Sequence, residues 1–314
     1  MQTLITNSPT EAAEFIKRGG IVAFPTETVY GLGASVFDVE AIAKVFAAKG
    51  RPSDNPLIAH VSNSAQIGDL AANVTANAAK FIARFFPGPL TVVLKKRENI
   101  PPIATAGLDT IGIRMPQHKV ANEFLQACGV PVVAPSANLS GRPSPTTWEA
   151  VLEDFDGRID CILQGKPAGI GLESTVVDCS QNLPVLLRAG SVSLEMLRLI
   201  VPETRGLSHD IDGVAPRSPG MKHRHYSPKA KVVLMESTSL AVPLNSSAFI
   251  GLRNENAAFA IAKICYSVEE YAHEVFEFFR ECDRAGIATI YCETVEETGI
   301  GAALMDRLRR AAKR

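Results

Sequence analysis

The hydrophobic pattern of the first two hundred residues switches repeatedly between two periods, and few folds accommodate that. The runs IVAFP (21–25), LIAHV (57–61), TVVLKK (91–96), IGIRM (111–115) and VPVVAPS (130–136) are short, rich in β-branched residues and bounded by Gly or Pro, as buried strands are. Helical patterns lie between them. In VEAIAKVFAAK (39–49), Ile42, Val45, Phe46 and Lys49 follow helical spacing, Asp38 stands where a cap accepts first-turn N–H groups, and Gly50 supplies a left-handed stop. Strands alternating with helices predict an α/β fold, an open twisted sheet dressed with helices.

The pattern breaks at 202–230. PETRGLSHDIDGVAPRSPGMKHRHYSPKAK is rich in Pro, Gly and charge and has no apolar periodicity, so it reads as a linker. Beyond it KVVLM, AFIGL and IATIYC read as strands. Ser267 and Glu270 form a capping box for a helix carrying Tyr271, Val275, Phe278 and Cys282 on one face. The expected organisation is a domain over 1–201, a linker or lid over 202–230 and a smaller Rossmann-like α/β domain over 231–314, of roughly 85 residues.

Composition excludes several classes. Of 314 residues, 32 Lys and Arg oppose 33 Asp and Glu, for a net charge of -1, so attraction for phosphate or nucleic acid has to come from local clustering. The six cysteines include no CxxC pair and sit mostly inside apolar runs, as reduced core residues of a cytoplasmic protein do. No apolar run approaches the ~18 residues that cross a bilayer, so no membrane is expected.

Standard phosphate loops are missing. There is no GxxxxGK[ST], and Gly31 and Gly33 in YGLGAS lack the third glycine of a dinucleotide fingerprint. Polar residues instead follow the strands, where open α/β sheets bind ligands: PTETVYGLG, the KGR that closes a helix, and PSANLSGRPSPT. Lys49 and Arg51 offer a point charge and a planar fork suited to phosphate oxygens, with Ser136, Asn138, Ser140 and Ser144 as neutral partners, a set that suits a nucleoside triphosphate. Each element also has a plain structural use. Cations at a helix C-terminus complement its dipole, Ser, Asn, Gly and Pro make turns, and a histidine in a strand is commonly a half-buried, hydrogen-bonded side chain. His223 and His225 in KHRH have no further ligand at metal-binding spacing, so no protein-held metal is expected.

The order and wording of the segments GGIVAFPTETVYGLGA, AAKGRPSDNPLIAHV, FPGPLTVVLKK, TAGLDTIGIRMP, VPVVAPSANLSGRPSPT, GIGLESTVVD and VLLRAGSVS, spread over 19–193, resemble the YrdC/Sua5 family of threonylcarbamoyl-AMP synthases. Its KxR…SxN tetrad falls on Lys49, Arg51, Ser136 and Asn138. SPGMKHRHYSPKAKVVL and GIGAALMDRLRRAA resemble the long Sua5 form. The resemblance implies a YrdC-like domain with a basic concave site, a C-terminal Sua5 domain, and a nucleotidyltransferase that joins L-threonine, bicarbonate or CO2, and ATP with Mg²⁺ into L-threonylcarbamoyladenylate and pyrophosphate, the first step of t6A formation at tRNA position 37. It implies Lys49 and Arg51 as catalytic cations and Asn55, Thr110, Ser136, Asn138, Ser144, Arg188, His225 and Tyr226 around ATP, the last two as a flap. It implies Thr28, His60, Arg114, Ala134 and Ser174 around threonine. A downstream threonylcarbamoyl transferase complex is the implied partner, and direct binding of tRNA or double-stranded RNA is left open. A pure RNA-binding module would need only the cations, not Thr28, His60, Arg114 and Ser174. A carbamoyl-transfer enzyme of hydrogenase maturation would carry further domains that this sequence lacks.

Overall fold

The apolar runs pair into two separate sheets. In the computed structural model, which describes residues 2–206, 226–236, 246–253 and 259–313, ten strands form a mixed sheet and four a parallel one. Across the larger sheet the order is β1 (Leu4–Thr6), β8 (Cys161–Leu163), β2 (Val22–Phe24), β3 (Gly31–Ser35), β7 (Val132–Ala134), β4 (Ile58–His60), β6 (Thr110–Arg114), β5 (Leu90–Lys95), β9 (Thr175–Asp178) and β10 (Val185–Arg188). The α/β expectation holds. So does helix α2 (Val39–Lys49), whose Asp38 side chain accepts from Ala41 N–H and whose Gly50 ends it at φ 63°.

One stretch read as loop is a strand. The GLG of PTETVYGLG lies in β3, antiparallel to β2 with Phe24 opposite Gly31. Its hydrophobic period is hidden because neighbours fill the space side chains would use: a Cβ on Gly33 would stand 2.6 Å from Val132 Cγ1. The glycines are there for close approach, not for a phosphate turn.

Strand side chains alternate between faces, and the two faces are covered differently. On one face Ala59, Ile111, Ile113 and Val133 join the large cluster built with α2 and α4 (Ala76–Phe85). On the other, α1 (Pro9–Lys17) and α5 (Lys119–Cys128) cluster with Val22, Phe24, Val132 and Ala134, while Val93, Val176 and Leu187 make a small cluster farther along the sheet. Between those two clusters lie β4 and β6, and there this face carries Ile58, His60, Gly112 and Arg114 instead of a packed hydrophobic layer.

The second sheet runs β11 (Lys231–Met235), β14 (Thr289–Glu293), β12 (Ser247–Gly251), β13 (Ile261–Ile264), all parallel. It packs with α8 (Val268–Arg284) and α9 (Ile300–Ala312). Ser267 caps α8 through Glu270 N–H, but the returning Glu270 carboxylate accepts from Tyr266 N–H, one residue before the position a capping box predicts. The expected stripe Tyr271, Val275, Phe278 and Cys282 is buried. Strand β13 escaped notice because it is half-exposed and short. The core of this unit extends into the first through Val29, Leu172 and Ala189. Gly171 lets α8 come close: it sits at φ 81°, and a Cβ there would be 2.4 Å from the His273 carbonyl oxygen.

Candidate active site

Where β4 and β6 lack a hydrophobic cover, the sheet face opens into a cleft. Ligands of parallel α/β sheets gather at the C-terminal edge of the strands; here the cleft lies on the face. The reason is directional: β4 and β6 run antiparallel to β7 or β5, so the larger sheet has no common C-terminal edge at this point.

Register brings His60 opposite Arg114. Burial, helped by the charge of Arg114, pushes the His60 imidazole down to about 3, against the opposing pull of the Ile58 and Val132 carbonyls. His60 is therefore a neutral ring that holds or reads a hydrogen. Arg114 is fixed by two hydrogen bonds, from Nη1 to Thr28 Oγ1 (2.7 Å) and from Nε to the Gly88 carbonyl (3.3 Å), and by an ion pair of Nη2 with Glu27 (2.7 Å) that lacks hydrogen-bond geometry. Thr28 Oγ1 is in turn 2.9 Å from Thr26 Oγ1.

Lys49 is 2 % exposed and does not line the cleft. Its ammonium donates to the carbonyls of Ser136 and Asn138, both at 2.6 Å, and its own carbonyl accepts from Ser140 N–H. The last residue of α2 thus staples down the loop after β7. Burial, with repulsion from Arg51, holds its ammonium far less basic than usual, although Asp154 opposes this. Within the loop, Ser136 Oγ donates to Asn138 Oδ1 (2.6 Å) and Asn138 Nδ2 donates to the Leu139 and Arg142 carbonyls, so Asn138 shapes the loop from inside.

Arg51 lines the cleft with little to hold it. Its Nη2 reaches the Asn55 carbonyl at 3.4 Å and its buried Nε has no hydrogen-bond partner among the described residues. The fully buried Asn55 side chain, four residues on, also lacks partners for both amide atoms among the described residues. Unsatisfied buried polar atoms are rare and costly, and their clustering at a cleft marks a place where a ligand completes the bonding. Burial lowers the affinity of Arg51 for its proton, against the pull of Asp54 and Tyr226.

A further wall carries Glu173, Ser174, Arg188 and Tyr226. Arg188 donates to the Ser174 carbonyl (3.0 Å) and Oγ (3.1 Å), and Ser174 Oγ is 2.8 Å from Thr91 Oγ1. Ser144 Oγ donates to Glu173 (2.5 Å). Tyr226 is buried in the left-handed region at φ 65°, unusual for an aromatic residue. It stacks on Phe276 of α8 (5.4 Å) and lies under the Arg307 guanidinium (5.4 Å). Next to it, Ser227 N–H donates to the Gly141 carbonyl, tying the end of the linker to the loop after β7.

Of the residues singled out from sequence, Thr28, Arg51, His60, Arg114, Ala134, Ser136, Asn138, Ser144, Ser174, Arg188 and Tyr226 line this one cleft. Lys49 and Asn55 are not among its lining residues. Thr110 does not line it: it opens β6, four residues from Arg114, or ~13 Å along a strand. His225, with most of the expected lid (207–225), lies outside the described residues. Sequence reading missed Thr26, Tyr30 and Glu173 on the wall and Arg307 behind it. Only Glu173 had a local signal, adjoining Ser174 in GLEST.

Among the described residues no group of three or more His, Cys, Asp or Glu could hold a metal ion. The carboxylate on the wall, Glu173, is already committed to Ser144 and Arg307. The donors here do not fit a magnesium caged by the protein.

The profile of the Sua5/YciO/YrdC family, described as telomere recombination, matches residues 14–190, and the profile described as the threonylcarbamoyl-AMP synthase C-terminal domain matches 192–313. The chain belongs to this family. The threonylcarbamoyl-AMP synthase of Pyrococcus abyssi is 43% identical over 96% of this chain and 93% of its own, and that of Bacillus subtilis 39% over 98% and 94%. The crystal structure of P. abyssi Sua5 complexed with L-threonine superposes with a TM-score of 0.90 at 40% identity, covering 99% of this chain and 97% of that one. The two-unit architecture is thus that of the long members of the Sua5/YciO/YrdC family.

Proposed function

We propose that this chain is a threonylcarbamoyl-AMP synthase that forms L-threonylcarbamoyladenylate from L-threonine, bicarbonate and ATP, with 1–201 as the catalytic unit, 202–230 as a lid and 231–314 as the accessory unit. The observation that carries the reading is the cleft itself: one cavity joins a hydroxyl-rich corner around an arginine to a second arginine with an unsatisfied buried donor. The near full-length likeness to synthases supports the same reading.

The threonine corner is Thr28, His60, Arg114 and Ser174, beside the backbone at Ala134. Arg114 meets the carboxylate, and the neutral His60 with the hydroxyls of Thr28 and Ser174 reads the threonine hydroxyl. The amino group of threonine, its protons released to solvent, adds to CO2, or forms the C–N bond with bicarbonate as a C–O bond breaks and water leaves, and the resulting N-carboxylate attacks the α-phosphorus in line. The P–O bond to pyrophosphate breaks as the new P–O bond forms, so no protein nucleophile is required. Arg51 and Arg188 offset the charge that builds on phosphate and on the departing pyrophosphate, with Ser136 and Ser144 as neutral donors. Lys49 and Asn138 act through the loop that they hold. Asn55 completes its hydrogen bonds through the bound nucleotide, and Tyr226, with His225, closes over it, excluding water. Magnesium would arrive as part of the ATP substrate, where it would offset part of the phosphate charge.

The product is a mixed carboxylic–phosphoric anhydride. A separate transferase would pass its threonylcarbamoyl group to tRNA. A reducing, cytoplasmic setting suits six free, buried cysteines, and among the described residues no helix is long and apolar enough to cross a membrane. Incubating the protein with ATP, L-threonine and carbon-13 bicarbonate tests the reading: the labelled adenylate appears by mass with one equivalent of pyrophosphate. Pyrophosphate release that ignores threonine would overturn it.

A further inference from the structure

Arg307 lies on α9, at the far end of the chain, 134 residues from Glu173, yet it is 1 % exposed and donates from Nε to Glu173 Oε2 at 2.9 Å. Its Nη2 donates to the Ala189 carbonyl (3.0 Å), Nη1 pairs with Asp306 (2.7 Å), and its guanidinium covers the Tyr226 ring. The other oxygen of Glu173 receives the Ser144 hydroxyl. Glu173 lines the cleft, so a lone carboxylate faces the space that the proposed function gives to a polyanion. Unpaired, it would repel phosphate across a low-dielectric site.

We propose that Arg307 is a positioning residue for nucleotide binding: the accessory unit neutralises Glu173 from behind, turning a repulsive carboxylate into a fixed acceptor that orients Ser144. The same guanidinium pins Tyr226. This gives the second unit a part in the chemistry of the cleft without any of its described residues lining that cleft, and it rests on the reading of the cleft as an ATP site. It also accounts for the direction in which Glu173 titrates. Burial alone would raise its pKa, but Arg307, Arg188 and the Ser144 hydrogen bond outweigh burial and hold it below the usual carboxylate value.

The test compares wild type, Arg307→Met, Glu173→Gln and the double variant by pyrophosphate release, with ATP binding measured separately by calorimetry. In Arg307→Met the expected change is a rise in KM for ATP of about tenfold or more, with KM for threonine nearly unchanged. In the double variant, where no uncompensated carboxylate remains, the ATP KM returns towards the Glu173→Gln value. A pH profile gives a second readout. The groups facing Glu173 are Arg307 from α9, Arg188 from β10, Ser144 from its loop and Tyr226, with Asp306 beside Arg307. Without Arg307, burial raises the Glu173 pKa, so ATP binding by Arg307→Met improves as the pH falls, relative to the double variant. If Arg307→Met fails to fold, the double variant decides: an ATP KM like that of Glu173→Gln supports the proposal, and one that stays high overturns it. Equal losses for ATP and threonine that Glu173→Gln does not rescue overturn it too, leaving Arg307 a structural residue. A wild type that binds no ATP removes the proposed function and this inference together, whereas an ATP-binding wild type with an unshifted Arg307→Met removes this inference alone.

Discussion

Arg280, at the junction of the two units, and Arg51, in the cleft, are both withdrawn from water, at 1 % and 9 % exposure, and are compensated in opposite ways. Arg280 grips Asp154 through both terminal nitrogens (3.3 and 2.9 Å) and donates to the Pro143 carbonyl at 2.6 Å. Asp154 in turn accepts from Leu139 N–H and Arg142. Both arginines leave a buried Nε without a hydrogen-bond partner among the described residues, but Arg51 has only a long contact to the Asn55 carbonyl where Arg280 has a carboxylate. Arg307 belongs with Arg280: although burial opposes its charge, Tyr226, Glu173 and Asp306 outweigh that and leave it more basic than usual. Burial shifts Lys49 and Arg51 the other way, since Lys49 is held by the neutral carbonyls of Ser136 and Asn138 rather than by a carboxylate, and Arg51 by little at all. A buried cation compensated inside the protein holds structure. One left partly uncompensated is kept there at a cost in stability and becomes satisfied when an anionic ligand arrives.

The sharpest way to break this contrast is to remove each side chain's charge and read stability and turnover separately. Arg280→Met leaves Asp154 buried with only the half-exposed Arg142 as counter-ion, and should lower unfolding stability by about 3–5 kcal/mol. The midpoint of urea unfolding measures it, and Asp154→Asn in the same chain should recover part of the loss. Arg51→Met should do the reverse, costing about 2.7–4 kcal/mol of transition-state stabilisation, or ~10²–10³ in turnover, with urea stability unchanged or improved. Comparable destabilisation by both substitutions would erase the distinction.

The smallest effect concerns His60, which the cleft keeps uncharged. The unfolded chain titrates this ring near 6.5 and the folded chain near 3. The unfolded state therefore binds the extra proton between those values, and stability falls as the pH drops through that window, by up to about 1.4 kcal/mol per pH unit. His60→Asn should remove that share of the acid slope, seen as a flatter dependence of Tm on pH between 6 and 4. An unchanged slope would mean that the ring is protonated in the fold.

Much of the first unit was legible. The runs around Val22, Ile58, Val92, Ile113 and Val132 became strands, and Asp38 and Gly50 bounded α2 where their chemistry required. Strands β1, β8, β9 and β10 were not read from the sequence, and two further strands escaped for identifiable reasons. The glycines of β3 carry no hydrophobic period because Phe24 and Val132 occupy their space, and β13 is a half-exposed edge. For the cleft, the pattern KxR…SxN singled out the right loops but not the division of labour within them. Lys49 and Arg51, two residues apart, point to different tasks, one bracing the loop after β7 and the other lining the cavity.

Sequence alone determined the class of fold, the bounds of α2, the cap of α8 and the family, because these depend on periodicity, capping chemistry and segment order, all of which are local or collinear. Tertiary structure decided what no spacing encodes. It set the cleft on the face of a mixed sheet, because strand direction depends on which strands pair. It stationed Arg307 behind Glu173 and Arg280 on Asp154, because contacts between residues 134 and 126 positions apart exist only once the two units pack. It also left Arg51 unsatisfied while its neighbour Lys49 was fully engaged, since burial and partners, rather than residue type, decide whether a cation holds structure or waits for a ligand.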